Sequence, residues 1–187
     1  MIYILDNFLS FIEIDKLAIV SSGSTIPWRT SAVVGSEQWD TSISEKYNFQ
    51  FTHMFLDARR ADETMINQKT YDFVSPLVNK INADDWYRIK MNLNPCAPQI
   101  LEHGMHIDNL TQRKDAYTAV FYINDNDGYT IFKTGEKIQS VSNRLVVFPA
   151  DLYHSGTTCT NTSMRIVLNL NFYKTNINEL VGDTKCQ

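Results

Sequence analysis

Arg165-Ile166-Val167-Leu168-Asn169-Leu170-Asn171-Phe172-Tyr173 alternates along its length, and a period of two predicts a strand with unlike faces. Ile166, Leu168, Leu170 and Phe172 share the face that packs. Arg165, Val167, Asn169 and Asn171 share the other, which meets either bulk solvent or a lined cavity. Arg165 follows His154 by eleven residues, and that position favours the cavity.

The same period returns in Arg88-Ile89-Lys90-Met91-Asn92-Leu93-Asn94, and residues 117–123 form a run rich in aromatic and β-branched side chains. Asn124-Asp125-Asn126-Asp127-Gly128 is a turn cluster, after which strands are predicted over 129–133, 136–141 and 145–148. Short strands at such intervals point to a sandwich, a jelly roll or a barrel. The N-terminal part reads differently. Tyr3-Ile4-Leu5 is a short strand, and Ser10-Phe11-Ile12-Glu13 is a capping box opening a helix to about Val20. Residues 49–56 make a further strand, and the spacing of Ile66, Thr70, Phe73, Val74, Leu77, Val78 and Ile81 predicts a helix over 63–81, kinked or restarted at Ser75-Pro76. Helices thus crowd into the first half. With no repeat or linker, one domain over 1–187 is expected, with helical support over about 1–85 and a β core over about 86–175.

The chemistry concentrates in Glu102-His103-Gly104-Met105-His106-Ile107-Asp108 and in Phe148-Pro149-Ala150-Asp151-Leu152-Tyr153-His154. If His106, Ile107 and Asp108 lie on a strand, the side chains of His106 and Asp108 point to one face, and strand pairing brings His154 to them. Two histidines and one carboxylate form the facial set that suits iron(II) and leaves coordination positions open. His103, three residues from His106, falls on the opposite face and reads as a loop or supporting residue. His53 reads as a hydrogen-bonded structural histidine, and Arg144 as an exposed turn residue. Trp28 and Trp86 read as core, whereas Trp39, in a polar loop, is a candidate substrate platform.

His106-x-Asp108, then His154 after Arg144-Leu145-Val146-Val147-Phe148-Pro149, then Arg165 resembles the Fe(II)/2-oxoglutarate-dependent oxygenases, most closely their prolyl 4-hydroxylase-like branch, from about Arg88 to Tyr173. The resemblance implies a double-stranded β-helix, a jelly-roll form within a mainly β (α+β) chain, with the N-terminal helices packed on it. It implies Fe(II), 2-oxoglutarate as cosubstrate and O2. His106, Asp108 and His154 are then the iron ligands, and Arg165 pairs with the distal carboxylate of 2-oxoglutarate, a role that suits a planar guanidinium. Tyr122, in Phe121-Tyr122-Ile123-Asn124, looks like the family tyrosine that reaches the same carboxylate, and Thr118 shares its face. The implied reaction is hydroxylation of a C–H bond in a peptidyl, prolyl-type substrate or a small molecule, with release of succinate and CO2. Because Asp108 occupies a ligand position, halogenation is disfavoured. Two departures weaken proline as the substrate: Gly128-Tyr129-Thr130 stands where many relatives have Gly-Gly, and Arg165 stands where some collagen-type relatives have Lys. Segments 21–47 and 109–115 are candidate substrate loops. The alternative is a catalytically silent jelly-roll module that binds a partner or ligand without needing all four residues.

Composition narrows the setting. A net charge of −4 without a Lys/Arg cluster argues against a nucleic-acid substrate, including a demethylase role. Three cysteines (Cys96, Cys159, Cys186) without a C-x-x-C pair form neither a disulfide framework nor a zinc knuckle, so a reducing compartment is expected. Met1-Ile2-Tyr3-Ile4-Leu5-Asp6 does not read as a signal peptide, and no apolar run approaches spanning length. The expectation is a soluble cytoplasmic enzyme without membrane contact; the sequence specifies no oligomeric state.

Overall fold

Alternation in the chain becomes two stacked sheets with helices on one side. The computed structural model describes residues 1–33, 47, 49–58, 65–108 and 113–182, so Trp39, Cys186, residues 34–46 of the first candidate loop and residues 109–112 of the second lie outside the described residues. The elements are β1 (Tyr3–Leu5), α1 (Phe11–Ser22), β2 (Arg29–Ser31), β3 (Gln50–Asp57), β4 (Met65–Ile66), α2 (Gln68–Tyr71), α3 (Ser75–Ile81), β5 (Asp85–Pro95), β6 (Ala116–Tyr122), β7 (Tyr129–Phe132), β8 (Lys137–Gln139), β9 (Arg144–Pro149), β10 (His154–Gly156), β11 (Met164–Tyr173) and α4 (Asn178–Val181). The major sheet runs β1-β9-β6-β11-β5-β3-β2, with β4 paired to β3; a minor sheet runs β10-β7-β8. Every pairing is antiparallel.

The two faces of β11 divide as the pattern demands. Ile166, Leu168, Leu170 and Phe172 join Ile89 and Met91 of β5, Ala119 and Phe121 of β6, and Leu145 and Val147 of β9 in a core closed by Ile14 and Leu17 of α1 and Leu77, Val78 and Ile81 of α3. On the other face Val120, Tyr122, Val146, Phe148 and Val167 meet Phe132 and Ile138 of the minor sheet. This second layer is thinner, and a cavity of about 410 Å³ opens beside it, lined by Arg165, Val167 and Asn169 of β11. The polar face of the last strand therefore looks into a cavity rather than into bulk solvent.

Two local expectations change. The capping box holds, with the Ser10 amide donating to Glu13 Oε2 at 2.9 Å and Glu13 N donating to Ser10 Oγ at 3.4 Å. Of the helix expected over 63–81, residues 63 and 64 lie outside the described residues, and the rest is β4, the single turn α2 and a separate α3 that restarts at Ser75 as expected, with Pro76 in its first turn. Proline has no N–H to give to the preceding turn but fits where that N–H is unneeded, so the helix restarts there. The strands expected at 3–5 and 49–56 are β1 and β3, and with β2 and β4 they belong to the major sheet. Arg144 lies on β9, not in a turn, with Nε 2.6 Å from Asp6 Oδ1. Among the described residues no helix is long and apolar enough to cross a membrane.

His53 is structural. It is buried on β3, with Nδ1 3.3 Å from the Pro27 carbonyl and Nε2 2.7 Å from Thr70 Oγ1. A carbonyl only accepts, so Nδ1 carries the proton and Nε2 of the neutral ring accepts from Thr70. Burial lowers the His53 pKa. A histidine whose folded pKa lies below its unfolded value supports the fold fully above the unfolded value, and that support fades as pH falls through it. Thermal unfolding followed from pH 7.5 to 5.5 should show Tm falling in the wild type and falling less in His53→Gln. Parallel slopes would remove His53 from this account.

Candidate active site

His106 and His154 face each other as an isolated antiparallel pair, each backbone N–H donating to the other's carbonyl at 3.0 Å. This is not the strand expected for 106–108: only His106 makes the bridge, and Asp108 is fixed separately, its N–H donating to the Ala150 carbonyl at 3.0 Å. The convergence survives the loss of the strand because His106 is bonded to His154, the first residue of β10, and Asp108 to Ala150, just past the end of β9. The ligand atoms of His106, Asp108 and His154 all lie within 4.8 Å of one another.

Each histidine is oriented by the same device. Nδ1 of His106 lies 3.2 Å from the Gly104 carbonyl, and Nδ1 of His154 lies 2.9 Å from the Leu152 carbonyl. Nδ1 must donate in both, which leaves Nε2 unprotonated in the neutral ring, as a metal ligand requires. The His154 ring packs edge-on against Phe148 at 4.7 Å and lies 4.6 Å from the His106 ring. Burial, opposed by the Asp108 charge, lowers the His154 pKa and so favours the neutral form.

Asp108 is held by a ring of donors. Arg88 Nη2 donates to Oδ1 at 2.9 Å, while Thr118 Oγ1 and Asn171 Nδ2 each donate to Oδ2 at 3.1 Å. Asn171 also donates to Thr118 at 2.9 Å and accepts from Arg88 Nε at 2.8 Å. Burial pushes the Asp108 carboxyl up, but the Arg88 charge first, then the electrostatic pull of the His154 and His106 rings and the Asn171 bond, outweigh it and bring the pKa down to about 2. The carboxylate stays ionised across the physiological range. The register explains the network: Asn171 of β11 stands opposite Arg88 of β5 on one side and Thr118 of β6 on the other.

Arg165 sits farther along the same face, 2% exposed. Its Nε donates to Ser140 Oγ at 2.9 Å, and its Nη2 reaches Tyr129 O and Thr130 Oγ1 only at 3.5 Å. Among the described residues no carboxylate lies within salt-bridge distance of it, so a buried cation lines the cavity with its outer nitrogens weakly engaged. The turn before β7 must be glycine here. A Cβ on Gly128 would come within 2.7 Å of Arg165 Cδ and 2.6 Å of the Thr158 carbonyl.

The two other expected cosubstrate residues stand elsewhere. Thr118 is buried behind Asp108 and bonds that carboxylate. Tyr122 lies under Arg165, its ring centroid 5.5 Å from Cζ, and its hydroxyl donates to Thr130 Oγ1 at 2.7 Å. Thr130 lines the cavity and Tyr122 does not, so the tyrosine acts on the cavity through Thr130. His103 also lines the cavity, buried, with its pKa brought down to about 4 chiefly by burial and then by the Arg165 charge. Arg88 and Asn171 had no predicted role. Alternation placed both on the polar face, but nothing in their own segments names Asp108 as their partner.

This donor set fits iron(II): two neutral imidazoles and one ionised carboxylate converging, with the carboxylate itself braced. The unpaired Arg165 in the same cavity fits a dicarboxylate such as 2-oxoglutarate, with one end toward the metal and the other toward the guanidinium.

The sequence matches no family model and no curated protein. Comparison with solved structures gives consistent likenesses. The chain aligns over its whole length with the non-haem alpha-ketoglutarate-dependent epimerase SnoN from nogalamycin biosynthesis, with TM-score 0.60, 11% identity and 87% of that chain covered. A SnoN structure in complex with Fe3+, alpha ketoglutarate and nogalamycin RO gives the same TM-score. A prolyl hydroxylase from Trichoplax adhaerens, solved with a peptide of the hypoxia inducible factor oxygen degradation domain, aligns with TM-score 0.58 and 13% identity over 97% of this chain and 87% of its own. A 2OG-Fe(II) oxygenase family protein from Burkholderia pseudomallei aligns with TM-score 0.56 and 11% identity over 94% and 86%. The fold is that of the 2-oxoglutarate oxygenases, a double-stranded β-helix.

Proposed function

We propose that this protein is an Fe(II)- and 2-oxoglutarate-dependent dioxygenase that hydroxylates a C–H bond, acting as one oxygenase domain over 1–187. The observation that carries the reading is one cavity holding both the convergent His106–Asp108–His154 set and, along its wall, the unpaired buried Arg165. A binding module has no physical need for both. When bound, iron(II) with 2-oxoglutarate and O2 supplies C–H oxidation coupled to decarboxylation of the cosubstrate to succinate and CO2. The chain's own residues do the rest. His106 and His154 present Nε2 because Gly104 and Leu152 hold the proton on Nδ1. Asp108 stays ionised because Arg88, Asn171 and Thr118 surround it. Arg165 anchors the distal carboxylate and so orients the cosubstrate relative to the metal.

The substrate is a peptidyl residue or a small molecule; among the structural neighbours one is a prolyl hydroxylase solved in complex with a peptide and one an epimerase from nogalamycin biosynthesis. An intracellular, reducing compartment belongs to the same reading, since Cys96 and Cys159 are free thiols. The test is anaerobic addition of Fe(II) and 2-oxoglutarate to the purified protein. A visible metal-to-ligand charge-transfer band is expected in the wild type and not in His154→Ala, followed by slow succinate release when O2 is admitted. A folded, iron-free protein that gives no band would refute the oxygenase reading.

A further inference from the structure

Asn94 of β5 stands directly opposite Arg165 of β11. Residues so paired have Cβ atoms about 4.5–5.5 Å apart on the same face of the sheet, and both side chains line the cavity. Asn94 is 4% exposed, and its Nδ2 has no hydrogen-bond partner among the described residues. A buried amide N–H₂ without an acceptor is rare and destabilising, so each instance calls for a reason. Here the neighbour sharpens the question, because Arg165 brings only further donors. It commits Nε to Ser140 at 2.9 Å, leaving Nη2 with 3.5 Å contacts. The buried acceptor on the same strand that is unpartnered among the described residues, Asn92 Oδ1, stands one pair farther along the cavity wall, so the two sets of donors side by side at Asn94 and Arg165 fit an anion with at least two oxygens.

We infer that Asn94 binds the distal carboxylate of 2-oxoglutarate together with Arg165, its amide donating to one carboxylate oxygen. This rests on the cosubstrate reading above and adds a residue to it. Tyr122 stands behind the same guanidinium, its ring centroid 5.5 Å from Arg165 Cζ and its hydroxyl 2.7 Å from Thr130 Oγ1. The amide also explains why a neutral side chain stands here: an aspartate at 94 would neutralise Arg165 internally and close the anion's seat.

The experiment titrates the charge-transfer band of the Fe(II)-loaded protein under argon with two ligands. One is 2-oxoglutarate; the other is 2-oxobutyrate, which keeps the metal-chelating 2-oxo acid head and lacks the distal carboxylate. Asn94→Ala should raise the Kd for 2-oxoglutarate about ten- to a hundredfold, the loss of one hydrogen bond to a charged group, and leave the Kd for 2-oxobutyrate unchanged. Asn94→Asp should raise it further. The Tm of metal-free Asn94→Ala should equal or exceed that of the wild type, since an unsatisfied buried group is removed. Equal 2-oxoglutarate affinity in wild type and Asn94→Ala, or equal losses for both ligands, would overturn the assignment while leaving the oxygenase reading intact. No band in the wild type with either ligand would overturn both.

Discussion

Asp108→Ala is expected to abolish iron binding at micromolar metal and to destabilise the metal-free protein by about 3–5 kcal/mol. The two losses have separate causes. Iron loses its one anionic ligand, and the neutral imidazoles that remain neither balance its charge nor complete the facial set. The apoprotein loses the counter-charge of Arg88, whose side chain is 15% exposed and whose Nη2 bonds Asp108 at 2.9 Å. Thr118 and Asn171 also keep donors aimed at an empty space. Removing one partner of a buried pair leaves the other uncompensated, which is why the penalty exceeds the worth of the pair itself. Denaturant unfolding of metal-free protein measures the second loss, and Mn(II) or Fe(II) titration the first. The companion Arg88→Met, Asp108→Ala double variant should recover part of the stability but none of the metal affinity. If Asp108→Ala were as stable as the wild type, the donor ring would be ornamental and its proposed bracing of the ligand would fall.

Arg165→Met should act in the opposite sense on the fold. A guanidinium that is 2% exposed without a carboxylate among the described residues carries a desolvation cost that the Ser140 bond offsets only in part. Methionine follows the same path with apolar atoms, so the metal-free variant should be more stable by about 1–2 kcal/mol. Its affinity for 2-oxoglutarate should fall by about 2–5 kcal/mol, more than thirtyfold, with metal affinity retained. Greater stability with lost cosubstrate binding is the signature of a site that stores strain for its ligand. A destabilised Arg165→Met that still binds 2-oxoglutarate normally would make the arginine a structural residue.

How much of this was legible in the chain depended on the range of the physics involved. Period two is a local property, so the faces of β11 and β5 followed from Arg165–Tyr173 and Arg88–Asn94 alone, whereas the cavity position of Arg165 also needed its spacing from His154. The capping box at Ser10 is equally local. The break between α2 and α3 was half visible at Pro76, but the apolar spacing ran on through Phe73 and Val74 and masked it. The ligand segment was misread in form, since His106 needs one backbone bridge to His154 and no strand at all. Partnerships across the sheet were beyond reach: Arg88 meets Asp108 from 20 residues away, and Asn171 meets it from 63. Thr118 and Tyr122 show the same limit, because sharing a face with the cavity did not say whether a hydroxyl would spend its proton on Asp108, on Thr130 or on a ligand.

The reciprocal backbone pair of His106 and His154 ties chain segments 48 positions apart, and the metal would sit on that tie. Iron bound there would act as a fastener on a loop whose closure the backbone has already achieved, with ligands brought together only once β9 and β10 are in place. The prediction is that its departure would require opening of the two 3.0 Å bonds of the bridge, a local fluctuation rather than global unfolding. Amide exchange at His106 and His154 and the rate of iron loss to a chelator should share one opening rate, and both should slow together when the cosubstrate is bound.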